Sequence, residues 1–224
     1  LHDAILKTEQ PDVLAFRDEA IAHGIVDDET IAAYRQDGCC IVRGLFDAEE
    51  TRLLREAMEK DPAIAAHFYD RHDATGAATK MVTWNHPGDS VYGLAARSMR
   101  MVDTMEDLLG GEVYHYHSKL TAKEPFEGGA WEWHQDYGYW YHNGCVFPYM
   151  ASVMVALDRA DRDNGCLQVI RGSHQAGRIN HSTGPGEQVG ADMERVDQML
   201  KEMDLVYAEM APGDGLFFHS NVMH

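Results

Sequence analysis

His134 and Asp136 stand one residue apart in the stretch GGAWEWHQDYGYWYHNG, residues 128–144. On a β-strand, residues i and i+2 point to the same side, so this spacing aims an imidazole and a carboxylate at one point while Gln135 faces away. A second histidine from a distant strand would complete the two-histidine, one-carboxylate face that holds ferrous iron and leaves coordination positions open. The end of the chain offers two candidates for that donor, His219 and His224. Spacing alone leaves the choice open. Zinc held by the same donors, with Glu132 or another carboxylate as base, would instead make a hydrolase. A non-catalytic metal-binding jelly roll is a further reading. Tyr137, Tyr139, Trp140 and Tyr141 follow the pair directly. Such aromatics suit a cage for a quaternary ammonium or other cationic head group, or ordinary packing.

The elements that must position these side chains divide the sequence near residue 110. Up to there it reads as mostly helical. DDETIAAYRQDG opens with acids and stops at Gly38, and FDAEETRLLREAMEKDP offers Asp47 as N-cap with Glu50 as its capping-box partner. SVYGLAARSMRMVDTMEDLLGG carries a Met-rich apolar stripe, read as core, and ends in a glycine pair. From Gly111 onward the pattern turns to short β-like runs: EVYHYHSKLTA, WEWHQD, ASVMVALD, CLQVI, LVYAEM and GLFFHSNVMH. Turn signals such as DRDNG and APGDG separate them. The expectation is a mainly β fold with flanking α, a jelly roll behind N-terminal helices, forming one domain over residues 1–224. Residues 177–203 read as an insertion over one mouth of the sandwich, glycine-rich first and helical from about 191, with a lid as one possible use.

Hydrophobic residues make up 45% and charged residues 25%, the balance of a globular chain. Lys plus Arg is 19 against 37 for Asp plus Glu, a formal charge of -18, which argues against nucleic acid or an anionic membrane surface as partner. No apolar run is long enough to cross a bilayer as a helix. Cys39, Cys40, Cys145 and Cys166 are too scattered for a disulfide framework or a paired-cysteine zinc site, so a cytoplasmic setting is expected. The expected partner is a small molecule, with a homo-oligomer left open.

Three segments in order, H-x-D at 134–136, NGCLQVIRGSH at 164–174 and PGDGLFFHSNVMH at 212–224, are far more specific than the H-x-D alone. Together they resemble the phytanoyl-CoA dioxygenase family of Fe(II)- and 2-oxoglutarate-dependent oxygenases, over roughly Tyr114 to His224. The resemblance implies a double-stranded β-helix, with His134, Asp136 and His224 as both the metal ligands and the catalytic centre. His219 then falls to a structural role. It also implies 2-oxoglutarate and O2 as co-substrates, and hydroxylation rather than halogenation, because Asp136 is kept. His117 and Trp140 occupy positions that in the family help hold the co-substrate. Lys119 would reach an anionic group, on a strand face shared with His115 and His117. In the family an arginine and a serine just beyond the distal histidine bind the far carboxylate of 2-oxoglutarate. The sequence stops at His224, so a closing strand is expected to be missing. The expected substrate is a small polar metabolite bound by Lys119, Tyr137, Tyr139 and Tyr141: a zwitterionic amine, an ectoine-like compound or an aminophosphonate. An acyl-CoA thioester is the alternative, served by a basic patch of Arg162, Arg171 and Arg178.

Overall fold

A computed structural model describes residues 26–124, 126–184 and 188–224. Helix α1 (Asp28–Asp37) starts at Asp27, whose carboxylate accepts the Thr30 N–H at 2.8 Å, and ends at Gly38 in the left-handed region. Strand β1 (Cys39–Val42) follows at once. The expected capping box forms at the start of α2 (Ala48–Lys60), with Asp47 and Glu50 exchanging side-chain to backbone bonds of 2.8 Å each. A short helix α3 (Pro62–Ala65), the hairpin β2 (Tyr69–His72) and β3 (Ala78–Trp84), and helices α4 (Val91–Ala96) and α5 (Met99–Leu109) come next. The single Met-rich helix read over this last stretch is thus two. Ser98 breaks it, adopting an extended ψ and turning its hydroxyl back to donate to Ala95 O at 2.9 Å.

The C-terminal half contains β4 (Ser118–Ala122), α6 (Asp136–Trp140), β5 (Ala151–Val155), β6 (Gln168–Ile170), β7 (His181–Thr183), β8 (Val189–Ala191), α7 (Met193–Glu202), β9 (Leu205–Tyr207) and β10 (Gly215–His219). One sheet has the order β1-β10-β5 and a second β2-β3-β4. The pairs β6-β9 and β7-β8 are joined by backbone bonds through the segments around His134 and His224. Ala191 N–H donates to Trp133 O at 2.8 Å, His134 and His224 exchange backbone bonds of 2.9 and 3.0 Å, and Ile170 N–H donates to Met223 O at 2.9 Å. This makes the opposing layer of the jelly roll.

Alternation along β10 sorts the core. Leu216 and Phe218 face inward to meet Val169, Ala208, Met210 and Val222 between the layers. Phe217, fully buried, faces the other way into the helical core of Leu53, Leu54, Ile64 and Val91. Helix α7 caps the opposing layer by packing Val196 and Met199 on Ile170, Ala191 and Met223.

Two expectations change. The N-terminal part is not simply helical: β1, β2 and β3 lie there, and β1 pairs with β10 from the far end of the chain. A four-residue strand whose partner is so distant leaves no local periodicity to read. The run EVYHYHSKLTA is a strand only from Ser118 onward.

Candidate metal centre

His134 and Gln135 are extended, which sends the side chains of residues 134 and 136 to the same side, but Asp136 then opens helix α6 instead of continuing a strand. Gln135, at φ -113° and ψ 134°, is extended between them and stands as the N-cap of α6. The third member arrives from beyond β10. After His219 the chain crosses at Ser220 and Asn221 into the opposing layer, where His224 pairs backbone to backbone with His134. His134, Asp136 and His224 offer ligand atoms within 4.8 Å of one another, and among the described residues they are the one such group of three.

Each imidazole is oriented from behind. His134 Nδ1 lies 2.7 Å from Glu132 O and His224 Nδ1 lies 3.0 Å from Val222 O. A carbonyl can only accept, so Nδ1 carries the proton and each Nε2 lone pair faces inward. The two Nε2 atoms stand 3.8 and 3.9 Å from Asp136 Oδ1. Ser152 on β5 donates to Asp136 Oδ2 at 2.5 Å, fixing the carboxylate from the opposite sheet. Burial pushes both histidines well below the ordinary imidazole range, so they remain neutral. Burial alone would raise Asp136, but His224, His134, Lys119 and the Ser152 hydroxyl together outweigh it and hold the carboxyl low. Two neutral nitrogens and one anionic oxygen around a common gap fit a divalent cation.

His219 is elsewhere. One residue past the inward-facing Phe218, whose ring lies 4.7 Å from that of His224, it turns to the other side of β10. There it meets His174, with ring centroids 5.4 Å apart, and its Nδ1 accepts the Asn221 N–H at 3.0 Å.

The remaining expected residues divide. His117 packs edge-on against Trp140 at 5.7 Å, and burial lowers its pKa although Asp136 opposes the shift. Lys119 holds its ammonium 4.9 Å from the centre of the Trp131 ring, itself 6.4 Å from His134, and its charge acts on all three members of the triad. The shared strand face of His115, His117 and Lys119 does not form, because residues before Ser118 leave the strand and His115 bonds to the Ser118 hydroxyl at 2.8 Å. Nor do the three tyrosines make one cage. On a helix, Tyr137 and Tyr141 share a face, and their rings lie 5.9 Å apart. The Tyr137 hydroxyl is spent on Cys145 O and Val146 O, and Tyr141 stacks under Arg178 at 4.4 Å. Only Tyr139 turns to the metal side, 5.5 Å from the His134 ring, with its hydroxyl donated to Val189 O at 2.5 Å. Glu132, the candidate hydrolytic base, accepts from Ala74 N–H at 3.3 Å in the β2–β3 turn. Arg162, Arg171 and Arg178 do not gather into a basic patch: they contact Glu209, Asp37 with Asp204, and Tyr141 respectively.

Sequence reasoning missed Ser152, Trp131, Gln135 and His181. Ser152 sits in an ordinary strand pattern and carried no signal. Gly138 within an aromatic run was a usable sign for His181, because a Cβ at that position would overlap the His181 ring.

L-proline trans-4-hydroxylase of Streptomyces griseoviridis is 38% identical over 165 residues, covering 71% of this chain and 59% of that enzyme. The chain therefore spans less than two thirds of that relative's length. Ectoine dioxygenase of Stutzerimonas stutzeri (strain A1501) is 24% identical over 96% of this chain and 76% of its own. Among solved structures, EctD from S. alaskensis with 2-oxoglutarate and 5-hydroxyectoine superposes with a TM-score of 0.74 at 24% identity, over 99% of this chain and 73% of that one. The same protein with bound Fe gives 0.74 at 23% identity, over 99% and 74%. These superpositions show the shared jelly-roll fold. The phytanoyl-CoA dioxygenase (PhyH) family profile matches residues 34–224, the span that holds both sheets and the converging His134, Asp136 and His224, and the chain belongs to that family.

Proposed function

We propose that this chain is an Fe(II)- and 2-oxoglutarate-dependent dioxygenase that hydroxylates an aliphatic C–H bond of a small polar metabolite. The carrying observation is the triad itself, with both buried imidazoles neutral and aimed by backbone carbonyls and with an ionised carboxylate held by Ser152. Ferrous iron bound there, with 2-oxoglutarate and O2, supplies the oxidation of C–H to C–OH coupled to release of succinate and carbon dioxide. His134 Nε2, His224 Nε2 and Asp136 hold the ion. His117 and Trp140, in edge contact beside the triad, flank the co-substrate. Lys119, Trp131 and Tyr139 line the side from which the substrate approaches and exclude water there.

The relatives' names support the substrate class. L-proline and ectoine are both small cyclic compounds carrying a nitrogen and a carboxylate. The observed dispersal of the tyrosines weighs against a quaternary ammonium cage and in favour of such a ring compound. A cytoplasmic setting is supported by four cysteines present as free thiols, and among the described residues no helix is long and apolar enough to cross a membrane.

Anaerobic addition of Fe(II) and 2-oxoglutarate tests the reading. A weak visible charge-transfer band is expected, and O2 with L-proline or ectoine should then yield a product heavier by one oxygen atom, with matching succinate. Absence of the band in iron-loaded protein refutes the proposal, as does zinc-dependent hydrolysis without it.

A further inference from the structure

We propose that Gln135 and His181 are positioning residues for the metal ligands, transmitting the placement of the arm that begins at Gly177 to His134 and Asp136. The inference rests on the metal reading above. Gln135 stands between the two ligands and is fully buried. Its side-chain carbonyl accepts the Ile179 N–H at 2.7 Å, and its amide donates to Gly177 O at 2.8 Å and to Asn221 O at 2.7 Å. Both amide hydrogens are used, and each leads to a different piece of chain. Gly177 and Ile179 belong to the arm, whereas Asn221 belongs to the crossing that delivers His224. One side chain thus ties the first ligand pair, the approach to the third ligand and the arm together.

His181 closes the same loop from the backbone side. Its Nε2 accepts the Gln135 N–H at 2.9 Å, and its Nδ1 lies 2.9 Å from Ile179 O, to which it donates. The ring presses against Gly138 so closely that no Cβ fits there. A buried amide with every bond made is costly to disturb, because each lost partner strands a desolvated polar group. Here the disturbed peptide carries a ligand on either side. A small rotation at residue 135 re-aims the Cα–Cβ bonds of His134 and Asp136 together, so the bonds set ligand geometry as well as stability.

The test uses variants that leave every ligand in place. Gly138→Ala removes no hydrogen bond and improves the intrinsic helix propensity of α6, so its effect must come through displacement of His181. Gln135→Met keeps the volume and loses the amide bonds. Ile64→Val, in the helical core away from the site, serves as the control for lost stability alone. Co(II) is titrated into apoprotein and followed by its visible absorption, at a temperature where all three variants are folded by circular dichroism. Both site variants should bind Co(II) about 10- to 100-fold more weakly, with an altered band shape, while Ile64→Val matches the parent. Binding by Gly138→Ala and Gln135→Met within twofold of the parent, or equal weakening in Ile64→Val, would overturn the positioning role. These Co(II) affinities stand apart from the 2-oxoglutarate band: a chain that binds Co(II) but forms no such band loses the oxygenase reading and still decides this one.

Discussion

Ser152→Ala isolates one hydrogen bond at the metal centre. The hydroxyl donates to Asp136 Oδ2 at 2.5 Å from β5, the strand facing the layer that carries His134 and His224. A hydrogen bond to a charged group contributes about 1.5–3 kcal/mol. The Asp136 side chain keeps 15% of its surface exposed, so water entering the space left by the hydroxyl replaces part of that contribution. The remainder, near the lower end of the range, corresponds to about 10- to 30-fold weaker metal binding at roughly 1.4 kcal/mol per tenfold. The sign is set by the anion. Losing a donor destabilises the carboxylate, raises its pKa and lets protons compete with the metal at higher pH than before. The assay is competition of Co(II) or Fe(II) binding against a chelator of known affinity, from pH 5.5 to 8, with Ser152→Thr as the variant that keeps the hydroxyl. Ser152→Ala should bind more weakly and lose metal at higher pH, whereas Ser152→Thr should stay close to the parent. Equal affinities for parent and Ser152→Ala across that range would refute the idea that the opposite sheet orients Asp136.

Two further outcomes follow from the fold. Phe217→Ala should cost about 3–5 kcal/mol and lower the melting temperature sharply, because the ring is fully buried where β10 meets the helical layer; a shift of only a degree or two by calorimetry would contradict that placement. Burial, then His174, holds the His219 pKa at about 4 in the folded protein against 6.5 in the free side chain. Between those values the unfolded chain binds the extra proton and the folded one does not, so this contribution to apoprotein stability is present above pH 6.5 and is lost as pH falls toward 4. In His219→Asn, whose carbonyl oxygen can take the place of Nδ1 toward the Asn221 N–H, the melting temperature should fall less steeply over that window; an unchanged slope would exclude His219 as a contributor.

Much of the centre could be read before any fold was known, and the reasons are local. Asp27, Asp47 and Glu50 start their helices through side-chain bonds to nearby backbone, so the pattern of residues three apart is sufficient. His134 and Asp136 are close in sequence and cannot be far apart in space. The resemblance picked His224 over His219, and alternation along β10 followed by the crossing at Ser220 and Asn221 brings His224, and not His219, beside His134 and Asp136.

What the tertiary structure alone decided depends on contacts between distant segments. Ser152 meets Asp136 only because β5 lies across the sandwich, and β1 is a strand only because β10 pairs with it. Tyr137, Tyr139 and Tyr141 looked like one cluster, yet a helix at 3.6 residues per turn puts Tyr137 and Tyr141 on one face and Tyr139 on another. The amino-acid sequence by itself determined which side chains could bind a metal, since donor chemistry belongs to the residue. Their aim, tautomers and neighbours came from packing, because hydrogen bonds and burial are set by whichever segments the folded chain brings together.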